Sequence, residues 1–173
     1  AQAYRAAIDI NPKDAWALTS LGSALQELGK AEEAVTAHRK ALELQPETVE
    51  YKNNLANALV ESGSVEEAVD VFRRALKTDP DVLHLNFGLG TALMALGQVD
   101  EAKAAYQDAL TIDPEDPMTR YLLGRVHLLE GNLAQGWEGI EARWNAPALG
   151  MRKMDLPQPP WRGTLAKNET ILV

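Results

Sequence analysis

Prolines recur at Pro12, Pro46, Pro80 and Pro114, each 34 residues after the last, and this spacing constrains the fold more than any other feature of the chain. Glycines keep the same step at Gly29, Gly63, Gly97 and Gly131. Small residues follow at Ala7, Ala41, Ala75 and Ala109, and again at Ala34, Ala68, Ala102 and Gly136. Leu21, Leu55, Leu89 and Leu123 share a column and each precedes a small residue, while Tyr4, His38, Phe72 and Tyr106 form a column of rings. Agreement of so many columns marks an internal repeat. A repeat of this length is one supersecondary unit that buries its apolar face only by stacking on its neighbours.

One period contains the parts of a helical hairpin. Leu18, Leu21, Leu25 and Leu28 stand at helical spacing within residues 15–28 and make one apolar stripe. Gly29 ends that helix, because glycine tolerates the left-handed backbone a helix C-terminus requires. A second helix from about Ala31 places Ala34, Val35, His38, Ala41 and Leu42 on one face. Pro46 stops it, having no amide donor and restricting the residue before it. Gly22 and Ala34 are expected to be small where the two helices cross, letting the backbones approach.

These columns closely resemble the tetratricopeptide repeat family. The resemblance rests on Leu21-Gly22, Leu25, Ala34, His38, Ala41 and Pro46, with the matching Leu55-Ala56, Leu59, Ala68, Phe72, Ala75 and Pro80. It continues through Leu89-Gly90, Leu93, Ala102, Tyr106, Ala109 and Pro114. It implies an all-α chain, a right-handed α-solenoid of antiparallel helix pairs over residues 1–144 followed by an irregular proline-rich tail. The expected divisions are a half repeat at 1–14, full repeats at 15–48, 49–82 and 83–116, and a divergent repeat at 117–144. The opening half repeat gives the expectation of a fragment that lacks earlier repeats.

The last repeat departs from the pattern, with Arg143 where the others have alanine and with Trp137 and Trp144 added. Pro147, Pro157, Pro159 and Pro160 with Gly150 and Gly163 then predict a linker over 145–168. Glu169 to Val173 predicts a truncated strand of a following domain. The string Gly136-Trp137, Ile140-Glu141, Arg143-Trp144, with Pro157, Pro159, Trp161 and Gly163 after it, resembles the junction in bacterial tetratricopeptide proteins that carry a glycosyltransferase-like domain. That resemblance implies the substrate-recognition arm of a larger enzyme. The alternative is that Trp137, Trp144 and Trp161 cap the end of the stack.

Composition narrows the function. Residues 1–142 hold 12 Lys and Arg against 23 Asp and Glu, and such acidity repels phosphate backbones, so nucleic acid is not an expected partner. No apolar run approaches the roughly 20 residues of a membrane span, and the first residues lack the pattern of a signal peptide. With no cysteine in the chain, thiolate metal sites and cysteine nucleophiles are excluded, and a cytoplasmic location is the expectation. His38, His84 and His127 fall at scattered repeat places, and His38 and His127 sit in packing columns, so they predict core histidines and no metal site. Gly88 and Gly90 lie inside a helix with no strand before them, which rejects a nucleotide loop. The fragment is therefore expected to have no catalytic residues and no cofactor, and to act by binding.

In the family the first helix of each hairpin lines a concave groove, which implies binding positions here. They are Trp16, Thr19, Ser20, Ser23, Gln26 and Glu27, then Glu50, Asn53, Asn54, Asn57 and Glu61. His84, Phe87, Thr91 and Met94 follow, and then Met118, Tyr121 and Arg125. Asparagine and glutamine carry donors and acceptors together and so can bracket an extended peptide. The O-linked N-acetylglucosamine transferases hold peptides with an asparagine ladder, of which only Asn54 has a counterpart, the other places being Ser20, Gly88 and Leu122. Chaperone adaptors clamp a C-terminal carboxylate with basic residues, whereas Thr19, Asn53 and Asn54 stand at those places. The expected partner is a protein or peptide in the groove, with the chain's own C-terminal domain or tail, or self-association, as alternatives.

Overall fold

The structure, a computed structural model, describes residues 1–150, and all nine of the α-helices among them follow the 34-residue period. In order they are α1 (Gln2–Ile10), α2 (Ala15–Glu27), α3 (Ala31–Leu44), α4 (Val49–Glu61) and α5 (Val65–Thr78). Then come α6 (Leu83–Ala95), α7 (Val99–Ile112), α8 (Pro117–Leu129) and α9 (Leu133–Glu141). No strand occurs among the described residues. The chain divides into two compact units, Ala1–Ala105 and a second beginning at Tyr106, so the boundary falls within α7.

Each hairpin turn is closed the same way. Gly29, Gly63, Gly97 and Gly131 have φ of 70, 84, 72 and 80°. The amide of the following residue reaches back to the last turn, as in Lys30 N to Leu25 O (2.9 Å) and Ser64 N to Leu59 O (2.9 Å). This is the six-to-one hydrogen bond of a Schellman cap, which needs a left-handed residue. A Cβ at any of the four would meet nothing within 4 Å, so glycine is there for its backbone angle and not for space.

Within the first unit each helix from α1 to α5 packs on the next in sequence, and α2 also lies against α4 and α4 against α6. The core forms between hairpins as well as within them. Ala15 and Leu18 of α2 and Ala41 of α3 enclose Tyr51 of α4, with Ile8 and Leu42 at the edge. Gly22 makes room for an imidazole: a Cβ there would stand 2.5 Å from Nε2 of His38. Gly88, inside α6, faces the Phe72 ring, and a Cβ on it would stand 2.4 Å from Cζ. The ring column thus wedges between helices, and glycine is used at these two places because the ring leaves no room for a methyl group.

In the second unit α8 and α9 meet backbone to backbone. A Cβ on Gly124 would lie 2.8 Å from the Gly139 carbonyl carbon, and one on Gly139 would lie 2.6 Å from Gly124 Cα. The helix after α9 tightens into two 3-10 turns, Ala142–Asn145 and Pro147–Leu149, with Ala146 buried between them. Residues 145–150 of the expected linker therefore adopt turns. The rest of that linker, the prolines from Pro157 onward, Trp161 and the expected strand 169–173 lie outside the described residues.

Candidate functional site

Helical geometry sorts the predicted binding residues. Positions i, i+7 and i+11 share one stripe, which puts Trp16, Ser23 and Glu27 together on α2 and Glu50, Asn57 and Glu61 together on α4. His84 and Thr91 hold the matching places on α6. Trp16 is 64% exposed and meets the Tyr4 ring edge-on at 6.0 Å. Ser23, Glu27, Glu50, Glu61 and His84 are exposed, and Asn57, Phe87 and Thr91 are half-buried. Because α2, α4 and α6 are neighbours, the first unit carries these residues on adjoining helices.

Thr19 is a correction to the expected groove set. It is 5% exposed and belongs to a buried hydrogen-bond chain. His38, wholly buried, donates from Nε2 to Gln26 Oε1 (3.0 Å), which leaves Nδ1 to accept from the Thr19 hydroxyl (3.0 Å). Thr19 Oγ1 in turn accepts from Asn54 Nδ2 (3.3 Å). Burial pushes the imidazole down to about 4, so it stays neutral and keeps the tautomer this chain requires. Asn54 and Gln26 therefore spend hydrogen-bonding capacity inside the protein, and Asn54 is half-buried. Asn53 is also half-buried, and its Oδ1 is enclosed with no hydrogen-bond partner among the described residues. Of the predicted residues, the first hairpins thus keep Trp16, Ser23, Glu27, Glu50 and Glu61 exposed, and Asn57 is half-buried.

Tyr121 and Arg125 belong to the second unit, both on α8. The Arg125 guanidinium lies 6.0 Å from the Tyr121 ring centroid, a cation–π pair one helical turn apart. His127, expected as a satisfied core histidine, is half-buried with Nδ1 3.5 Å from Glu130 Oε2 and without a hydrogen bond at that atom among the described residues. Among the described residues no three His, Asp or Glu side chains are grouped to hold a metal, and no helix is long and apolar enough to cross a membrane.

Sequence reasoning missed an ion-pair ladder. Arg5 meets Glu33 (3.1 Å), Arg39 meets Glu67 (2.7 Å) and Arg73 meets Glu101, each pair linking second helices of consecutive hairpins. The signal was present as two more 34-residue columns, offset by 28 residues. By contrast Glu27, Glu50 and Glu61 on the first helices carry no ion pair among the described residues. Lys52, the cation of α4, is turned toward Glu47 (3.8 Å) and Thr78 (3.5 Å). Burial, and then the charges of Glu50 and Asp14, push the Tyr51 phenol up.

Residues 1–119 match the family described as the cytochrome c-type biogenesis protein H TPR domain. The chain belongs to this tetratricopeptide repeat family. Residues 117–136 of this TPR chain match a further tetratricopeptide repeat. Among solved structures it is similar to MamA, with 19% identity, a TM-score of 0.72 and coverage of 83% of this chain and 84% of that one. A thermophilic TPR protein of Thermus thermophilus shares 24% identity at a TM-score of 0.71, covering 83% and 80%. The first TPR of Spaghetti (RPAP3), solved bound to the HSP90 peptide SRMEEVD, shares 21% identity at a TM-score of 0.64, covering 68% and 93%. At these identities the likeness is one of fold. No curated protein matches the TPR chain.

Proposed function

We propose that this TPR protein is a binding scaffold that holds a peptide segment of a partner protein against the first helices of its hairpins. The observation that carries the reading is Trp16, 64% exposed on a face whose neighbours Ser23 and Asn57 are likewise not consumed by the core. A large exposed aromatic beside amide and hydroxyl groups supplies apolar area and hydrogen bonding together. The face is preformed by packed helices, so little conformational entropy is lost on binding. The HSP90 peptide bound to the first TPR of RPAP3 supports the mode, since a chain of the same fold takes a peptide ligand. A photo-crosslinking residue at Ser23 or Asn57 is expected to capture a peptide partner far better than one at Thr36, which is exposed on α3. Equal capture from Thr36 would refute the assignment of the face.

A second reading takes the chain as the recognition arm of a larger glycosyltransferase-like protein. It rests on the resemblance carried by Gly136-Trp137, Ile140-Glu141 and Arg143-Trp144. The Arg143 guanidinium lies 4.4 Å from the Trp144 ring centroid, and Trp144 Nε1 donates to Glu141 Oε2 (3.1 Å). The reading requires an α/β domain encoded beyond codon 173; a gene without one would end it.

A further inference from the structure

We propose that the side chains around His38 form a proton-sensitive latch, which holds the hairpin α2–α3 against α4 and lets it part from α4 on acidification.

The latch is built from four side chains on three helices. His38 of α3 donates from Nε2 to Gln26 of α2 and accepts at Nδ1 from Thr19 of α2, while Thr19 accepts from Asn54 of α4. Only the last bond of this chain passes from one hairpin to the next, at a seam where α4 packs on both α2 and α3. The ring has no slack, being wholly buried with Gly22 so close that a Cβ there would stand 2.5 Å from Nε2. Of the ring column within the first unit, Tyr4 and Phe72 take up no proton in acid, so His38 is the member whose bonding acid changes.

Protonation defeats the arrangement in two ways. An imidazolium donates from both nitrogens and accepts at neither. Its Nδ1–H then points at the Thr19 oxygen that already accepts from Asn54, and the hydroxyl hydrogen has to turn away from the ring. The charge also arrives where nothing compensates it. Gln26, Thr19 and Asn54 are neutral. Among the described residues no hydrogen bond or ion pair joins the ring to Glu27 of α2, or to Glu50, Tyr51, Lys52 or Glu61 of α4. The charged side chains of α3 itself are exposed, and the ladder carboxylates Glu33 and Glu67 are held by arginines at the surface. Burial alone pushes the ring down to about 4, so the closed seam resists the proton and an open one, with the ring in water, accepts it.

Contacts in a helical stack run between neighbours, which lets one seam open without the rest. Trp16 and Ser23 lie on α2 and Asn57 on α4, so the peptide face proposed above parts with this seam. That consequence rests on the peptide reading; the latch itself stands without it.

The test is hydrogen–deuterium exchange of the full chain, read by mass spectrometry at pH 7.5 and 5.0, with each rate divided by that of the unstructured sequence at the same pH. If opening returns the ring to its exposed affinity, the seam opens about 30-fold more readily at pH 5.0. Protection of α2 and α3 is therefore expected to fall at least tenfold, while that of α5 stays within about threefold. His38→Gln, which keeps a donor and an acceptor but takes up no proton, and His38→Phe should each abolish the tenfold fall. A loss in α5 equal to that in α2 and α3 would mean general loosening and overturn the latch. A fall in either variant as large as in wild type would overturn it too. Should neither variant fold, wild type decides alone through the comparison with α5 and the nitrogen-15 spectrum of the ring. At pH 7.5 that spectrum is expected to show Nε2 protonated and Nδ1 bare; the opposite or a mixed tautomer would overturn the latch.

Discussion

Replacing His38 with phenylalanine, the residue its own column has at Phe72, separates the buried hydrogen-bond chain from simple packing. The sign follows from the direction of the shift. The unfolded chain binds the His38 proton near 6.5, whereas the folded chain binds it only at about 4. Stability linked to this group is therefore complete above pH 6.5, falls as pH drops from 6.5 to 4, and levels off below. At 1.36 kcal/mol per pH unit the full loss is about 3 kcal/mol, of which roughly 2 to 3 kcal/mol has been lost at pH 4.5. Urea unfolding followed by circular dichroism at pH 7.5 and 4.5 reads this directly. Wild type is expected to lose about 2 kcal/mol or more beyond what His38→Phe loses, since the carboxylates common to both cancel. At pH 7.5 the variant should be the less stable, by about 1–3 kcal/mol, because Thr19 and Gln26 are left without their partner. Equal acid sensitivity of the two proteins would refute the neutral, buried tautomer.

Two further perturbations follow from the packing. Gly124→Ala puts a methyl 2.8 Å from the Gly139 and Ile140 backbone and is expected to lower stability by about 1–3 kcal/mol in calorimetry, against about 1 kcal/mol for Gly29→Ala, where only the left-handed angle is strained. Equal effects would mean that α8 and α9 separate freely. Arg39→Ala breaks a ladder rung whose side chains are 47% and 49% exposed, so its effect is expected below about 1 kcal/mol and to vanish in high salt, as urea unfolding with and without added salt would read.

The hairpins were legible because each column has a local cause. A glycine whose amide neighbour closes a cap, a proline that ends a helix and leucines at helical spacing act within a few residues of themselves. The site was less legible because its residues are decided across hairpins. Thr19 looked like a surface residue until its hydroxyl was found between His38 and Asn54, partners 19 and 35 residues away. Asn54 matched a known peptide-holding place, yet its amide turns inward to Thr19 because the ring column there is an imidazole that accepts a hydrogen bond. Asn86 was passed over altogether; its amide satisfies the Pro80 and Val82 carbonyls at the start of α6. The arginine ladder was periodic in sequence, but a column shows only that a place repeats, not that two columns meet.

The ladder and the His38 chain have opposite consequences for how such a stack can be rearranged. Excising residues 49–82 would bring Glu101 to the place of Glu67, so Arg39 would find a carboxylate again and the outer seam would heal. The inner junction would not: Gly88 would arrive where Asn54 had been, and Thr19 would face a residue with no side chain to offer it. The outer columns are interchangeable parts, open to duplication and loss, whereas the imidazole chain is an address that recognises one particular neighbour. Recombination among these hairpins is thus free along one surface and policed along the other.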